Sequence, residues 1–260
     1  MLMSFEEYID KAEANVFMAK VLKATFDSLR TAYADNDGVK IGKRKTRLLF
    51  PKYRRKNNKN EELRVSEQEL RFVFVEKLAK LCDENSDYFF SVETPTIGSY
   101  LFSESETYKE LKKTNENLEL PCIHQRGVSG NFDMTIYKRG AENKYELVCL
   151  IEFKAGSVSE KSFKEVLLKL SNPQEKEDKG DSPLRFLIHL VERGLSKQTK
   201  QNYDNALCWL KTKGNSPVPL QDVTYIYGSL KKGKKTLRWQ ANKGSRILLQ
   251  LQTFSPKVHI

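Results

Sequence analysis

Three residues of this chain have types and a spacing that suit metal-assisted attack of water on a phosphate diester: Asp133, Glu152 and Lys154. Glu152 and Lys154 close the run YELVCLIEFK (145–154). In it Tyr145, Leu147, Cys149, Ile151 and Phe153 alternate with Glu146, Val148, Leu150, Glu152 and Lys154. Both sets are apolar through the middle, which predicts a strand buried on its two faces. Residues two apart on a strand share a face, so Glu152 and Lys154 stand side by side with Cα atoms roughly 6–7 Å apart. Charges at the end of such a strand need a reason, either structural ion pairing or a function. FDMTIY (132–137) predicts the neighbouring strand, with Asp133, Thr135 and Tyr137 on one face. A hairpin register with Asp133 near Leu150 sets Asp133 diagonal to Glu152. Two carboxylates meeting there offer hard oxygen ligands to Mg²⁺ or Mn²⁺, with water completing the octahedron. Lys154 can then orient or help deprotonate the attacking water and offset charge developing on phosphorus.

The elements that must position this trio are legible as periodicities. Residues 4–34 predict a first helix through Phe5, Tyr8, Ile9, Ala12, Val16, Val21, Leu22, Phe26, Leu29 and Tyr33, ended by DNDG. A second begins at Ser66, with Leu70, Phe74, Leu78 and Leu81 on one face beside Val73. YFFSVETPTI (88–97) predicts the first strand of a three-strand meander completed by 132–137 and 145–154, with a polar insertion (103–131) between the first two and a short turn around Gly140. SEKSFKEVLLKL predicts a third helix, RFLIHLV (185–191) a strand, and residues from about Ser196 to Leu210 a fourth helix. VTYIYGSL, TLRWQ and SRILLQLQTF read as a β-meander added to this core.

Phe132-Asp133 and Ile151-Glu152-Phe153-Lys154, preceded by a helix carrying Glu69 and followed by helix and strand, resemble the PD-(D/E)XK nuclease superfamily over roughly residues 66–192. Phe132 stands where the family name has Pro. The resemblance implies an α/β, restriction-endonuclease-like core of helix, three-strand meander, helix, strand and helix at 65–213. An N-terminal helix and basic arm (1–64) would precede it, and a C-terminal β addition to the same domain (214–260) would follow. It further implies Mg²⁺ or Mn²⁺ held by Asp133, Glu152 and the main-chain carbonyl of Phe153, Lys154 as the catalytic lysine, and Glu69 as a further acidic residue. Ser66-x-x-Glu69 is equally a capping box, in which the carboxylate satisfies the helix N-terminus. The implied activity is hydrolysis of phosphodiester bonds in nucleic acid, DNA rather than RNA, in defence, restriction or mobile-element processing. The rival reading is a catalytically silent nucleic-acid-binding or partner-binding module on the same fold.

Composition agrees with a folded partner of a polyanion. The 260 residues are 39% hydrophobic and 10% aromatic, enough for a core, and carry a formal net charge of +11. Ten cations and no acid fall within 40–60, among them Arg44, Lys45, Arg54 and Arg55; a second basic stretch holds Lys232, Lys235, Arg238 and Trp239, where an aromatic can stack on a base. Pro51 interrupts the first stretch, which reads as a loop or extended arm. No apolar run approaches a membrane span, and MLMSFEEYID lacks the basic and apolar regions of a secretory leader, so a cytoplasmic protein without membrane contact is expected, either alone, as a homodimer or with an accessory protein. Cys82, Cys122, Cys149 and Cys208 are too scattered for a disulfide framework and are expected as buried thiols. Cys122 with His124 lacks the partners of a zinc site, and His189 within RFLIHLV reads as a core residue. Gly127 and Gly130 predict a flexible turn before the Asp133 strand, and Lys161 and Lys164 either grip a substrate backbone or are simply solvated. Neutralising Arg44, Lys45, Arg54 and Arg55 together is expected to weaken nucleic-acid binding for all sequences alike and to lower the salt slope by roughly one unit per lost contact. Binding isotherms across a salt series check this; an unchanged slope assigns the stretch to solubility alone.

Overall fold

Leu22, Phe26, Leu29 and Tyr33 recur at helical spacing and are all buried, so the first helix, α1 (Glu13–Asn36), lies along the sheet as part of the core. The computed structural model describes residues 13–36, 43, 45–54, 61–84, 87–140, 144–176, 182–213, 223–231 and 238–241. After α1 come β1 (Lys52–Arg54), β2 (Glu61–Leu63), α2 (Glu67–Glu84), β3 (Tyr88–Leu101), α3 (Glu106–Thr114), β4 (Cys122–Ile123) and β5 (Val128–Arg139). Then follow β6 (Tyr145–Ala155), α4 (Glu160–Ser171), β7 (Leu184–Val191), α5 (Lys197–Lys213), β8 (Thr224–Ser229) and β9 (Arg238–Ala241).

The seven-stranded sheet runs β4-β3-β5-β6-β7-β8-β9. β3, β5 and β6 are antiparallel neighbours, β6, β7 and β8 are parallel, and β9 returns antiparallel to β8, so the fold is α/β on a mixed sheet. α4 and α5 are the crossovers that parallel neighbours require. One helical layer, α1 and α2, packs on Met134, Ile136, Cys149, Ile151, Phe153, Ile188 and Ile226. The other, α4 and α5, brings Phe163, Leu167, Tyr203 and Leu210 onto Leu150, Leu187 and Tyr225. The expected order of helix, three strands, helix, strand, helix is thus present, buried on both faces at β6 as its alternation predicts.

Several expectations are corrected. The basic stretch is not wholly an arm: β1 pairs with β2 in a small antiparallel hairpin, and the N–H groups of Lys45 and Thr46 donate to Asp35 Oδ2 at 2.6 and 2.9 Å, tying the segment to the end of α1. β8 is not the start of an added meander but a parallel neighbour of β7, inside the main sheet. β5 begins at Val128, so Gly130 is a strand residue, while Gly127 stays in the turn, where its N–H donates to the His124 carbonyl at 2.8 Å. Only Cys149 of the four thiols is buried; Cys208 is exposed. Residues 4–12 of the expected first helix, the turn at 141–143 and most of the C-terminal meander lie outside the described residues.

Close approach of α1 to β8 explains Gly228: a Cβ there would sit 2.0 Å from a ring carbon of Phe26, which is itself 1% exposed and cannot retreat. Gly228→Ala is therefore expected to destabilise the protein by about 1–3 kcal/mol in urea denaturation, with part of the loss recovered by a second change, Phe26→Leu. An unaltered midpoint would mean that α1 is not docked there.

Candidate active site

β6 pairs with β5 through Met134↔Ile151 and Thr135↔Leu150, so Asp133 and Glu152 are the next residues of the two strands beyond their last paired residues. This corrects the expected register: Leu150 lies opposite Thr135, not Asp133. A register irregularity between Ile136 and Tyr137 shifts the pairing set up by the hairpin. At this point the Asp133 side chain joins the main chain of the neighbouring strand, its Oδ2 accepting the Phe153 N–H at 2.6 Å. Phe153 itself is buried, its ring meeting Phe74 of α2 at 5.1 Å between centroids. Just beyond Lys154, Gly156 turns the chain off β6 at φ +66, a conformation that glycine adopts without strain, and Ser159 caps α4 by accepting from Ser162 N.

Two cations that the motif does not contain close on the carboxylates. Arg71 of α2 donates through Nη2 to Asp133 Oδ1 and through Nη1 to Glu93 Oε1, the latter at 2.6 Å. Glu93 holds its place in β3 with φ +50, a left-handed conformation that costs a non-glycine residue about 1–2 kcal/mol. From the other helical layer, Lys169 of α4 donates to Glu152 Oε1 and, at 2.7 Å, to the Asn131 carbonyl. Lys154 Nζ lies 3.6 Å from Glu67 Oε1 at the start of α2. Burial acts to lower the Arg71 guanidinium, but Asp133, Glu93 and Glu67 outweigh it and raise it. Glu152 is 3% exposed, and burial pushes its carboxyl up to about 7; Lys169 opposes, Asp133 adds, and Lys154 opposes.

Of the residues singled out in the sequence, the structure brings Asp133, Glu152 and the main chain of Phe153 together and leaves Lys154 two residues along β6. Glu69 goes to the cap: its Oε2 accepts from Ser66 N at 2.9 Å and from Ser66 Oγ. The acidic residue of α2 that meets the trio is Glu67 instead. His189 is a satisfied core group, with Nε2 2.7 Å from the Gly156 carbonyl and Nδ1 2.7 Å from Tyr225 Oη. Nε2 therefore carries the proton and Tyr225 donates to Nδ1; burial pushes the imidazole down to about 4. His124 Nδ1 accepts from Arg126 N within its turn. Lys161 and Lys164 pair along α4 with Glu165 and Glu160 at 3.9 and 2.6 Å. Lys45 is exposed; Arg44, Arg55, Lys232 and Lys235 lie outside the described residues, as do the side chains of Arg54, Arg238 and Trp239. Arg71, Lys169, Glu93 and Glu67 were missed. A signal existed only for Lys169, a lone cation inside the apolar run VLLKL of α4.

Chemically, the centre is a pair of hard oxygen donors at a strand end, one of them almost fully buried, with main-chain amide and three cations around it. Donor type and burial suit a divalent cation such as Mg²⁺ or Mn²⁺. Among the described residues no group of three or more His, Cys, Asp or Glu side chains could hold a metal, so water and main chain would have to complete the shell of the two carboxylates. No protein-family model matches the chain, and no curated protein matches it.

The buried carboxyl has a measurable consequence. The unfolded chain ionises Glu152 from about 4.5, whereas the folded one keeps the proton until about 7, so the folded state loses stability across that window as pH rises. With divalent cations chelated, Glu152→Gln should gain on the wild type by an amount on the order of 3 kcal/mol between pH 4.5 and 7 and by nothing more above it. Urea midpoints of the two proteins over that range check this; a difference independent of pH refutes the raised pKa.

Proposed function

We propose that this chain is a divalent-cation-dependent nuclease of the PD-(D/E)XK kind, hydrolysing phosphodiester bonds in nucleic acid, DNA in the first place. The observation that carries the reading is Asp133 of β5 and Glu152 of β6 just beyond the last residues that the two strands pair, Asp133 bonded to the Phe153 N–H beside Glu152, with Lys154 following on the same strand. The order around them, α2 before an antiparallel β3-β5-β6 and a parallel β7 reached through α4, matches what the resemblance implies for a restriction-endonuclease-like core. Mg²⁺ or Mn²⁺, held by Asp133 and Glu152 with the Phe153 carbonyl, would supply Lewis-acid polarisation of the phosphate and a water easier to deprotonate.

The protein's own residues do the rest. Asp133 is oriented by the Phe153 amide, which fixes Oδ2, while Oδ1 meets Arg71. Lys154 is tethered by Glu67 at 3.6 Å, close enough to steer its ammonium and long enough to let it hold a water or an equatorial phosphate oxygen. The burial of Glu152 excludes bulk water and strengthens each of these interactions. Among the described residues no helix is long and apolar enough to cross a membrane, and the net charge of +11 favours a polyanionic substrate.

One observation favours the silent-module reading: each carboxylate is already ion-paired, Asp133 with Arg71 and Glu152 with Lys169. Turnover separates the two. Linear and circular, single- and double-stranded DNA should be cut with Mg²⁺ and spared with EDTA. Asp133→Ala and Glu152→Ala should fall to background, and Lys154→Ala should lose about 10²–10³-fold. Wild-type cleavage by any of the three variants removes the site; absence of cleavage by the wild type on every substrate, with binding retained, selects the silent module.

A further inference from the structure

Both carboxylate oxygens of Asp133 already have a partner. Oδ2 takes the Phe153 N–H at 2.6 Å, a main-chain partner fixed by the strand, and Oδ1 is held by Arg71, a side-chain partner that can move. On the other side of the pair Lys169 holds Glu152 Oε1. The two cations arrive from opposite helical layers, α2 and α4. Each also has a second oxygen partner outside the pair: Glu93 Oε1 at 2.6 Å for Arg71 and the Asn131 carbonyl at 2.7 Å for Lys169. Lys154 differs, because its carboxylate partner is Glu67, outside the pair.

We propose that Arg71 and Lys169 are paired latches on the Asp133–Glu152 site: each must leave its carboxylate before a divalent cation is held there, and each then remains at the rim on its second partner, offered to a phosphate of the substrate. This rests on the reading of Asp133 and Glu152 as the cation-holding pair. With both latches closed, two negative charges face two positive ones and the centre has little field for either ligand. With them open, Arg71, Lys169 and Lys154 together present an excess of positive charge that a phosphodiester relieves. Cation and phosphate binding are then mutually favourable, by the reciprocity that links any two ligands of one switching element.

Mn²⁺ titration of the whole chain by calorimetry tests this, with urea midpoints confirming that each variant folds. Arg71→Gln and Lys169→Gln are each expected to bind Mn²⁺ about tenfold tighter than the wild type or more, whereas Lys154→Gln, the same change of charge beside the same pair, should stay within about threefold. If Arg71→Gln does not fold, Lys169→Gln carries the comparison. Equal tightening in all three variants means a general field effect and overturns the latches, as does no tightening at all. Wild-type Mn²⁺ affinity that Asp133→Asn and Glu152→Gln leave unchanged overturns the cation-holding pair itself, and the latches with it. Inorganic phosphate should tighten Mn²⁺ binding by the wild type and lose that effect in the Arg71→Gln, Lys169→Gln double variant; a coupling that survives in the double variant places the phosphate-binding charge elsewhere.

Discussion

A carboxylate that is 3% exposed at the end of an apolar strand is the constraint from which the rest of the site follows. Glu152 cannot stay charged there alone, because desolvation of an isolated carboxylate costs far more than the marginal stability of a domain. Lys169 answers it, and Lys169 can reach only because α4 runs back over the face of the sheet that carries Leu150. That path starts at Gly156, whose positive φ turns the chain at the end of β6, and at the Ser159 cap. Asp133, one residue beyond the part of β5 that pairs with β6, adds like charge, which requires a second cation, and α2 on the other layer provides Arg71. Arg71 is in turn seated by Glu93, which keeps a left-handed backbone conformation within a strand to reach it. Strain at Glu93 and burial at Glu152 are thus parts of one electrostatic arrangement.

Strand β6 and its terminal charges were readable because alternation over ten residues leaves few other structures for them. His189 was readable as core from the apolar residues on either side, and the structure adds two ring hydrogen bonds that close its account. The register was not. It depends on the length of the turn after Gly140 and on an irregularity between Ile136 and Tyr137, and one residue of slip exchanges faces while two move a partner along the strand. Nor were Arg71 and Lys169 readable as site residues. A cation on a helix face has the same local pattern whether it meets solvent or a carboxylate 62 residues away. The choice between Glu67 and Glu69 turned on a purely local competition, in which Ser66 offers two donors to the carboxylate three residues on and wins it for the cap.

The C-terminal strands show the limit of periodicity in another form. The aromatic and β-branched run TYIYG predicts a strand, and β8 is one, but nothing in that run distinguishes a parallel neighbour of β7 from the first strand of an added meander. The crossover decides it: α5 buries Tyr203, Leu207 and Leu210 on the same face as α4, and that packing returns the chain parallel to β7. The sheet then extends far enough for α1 to find a surface, with Phe26 filling the space over Gly228 and Tyr33 Oη donating to Glu192 at 2.8 Å. α1 belongs to the same hydrophobic cluster as α2 and the strands that carry the site, so the N-terminal helix is structurally part of what holds Phe153 in place.

The three cations at the centre are not equivalent, and their differences assign them different work. Arg71 and Lys169 each have one bond to the carboxylate pair and one to an oxygen outside it, so either can be displaced without losing every partner. Lys154 has its ionic partner, Glu67, outside the pair and at 3.6 Å, a separation at which the ion pair is loose and the ammonium keeps donors free. A residue that must act on a water or on a phosphate oxygen during reaction is better served by a loose external tether than by a tight bond to a carboxylate of the centre, because a tight bond would have to be broken in the same step. Lysine suits that place, with three rotatable donors on a flexible stem; at position 71 one planar guanidinium spans Asp133 and Glu93 at once, and at position 169 an ammonium reaches Glu152 and the Asn131 carbonyl. The distribution of residue types over the centre therefore follows the geometry that each position demands.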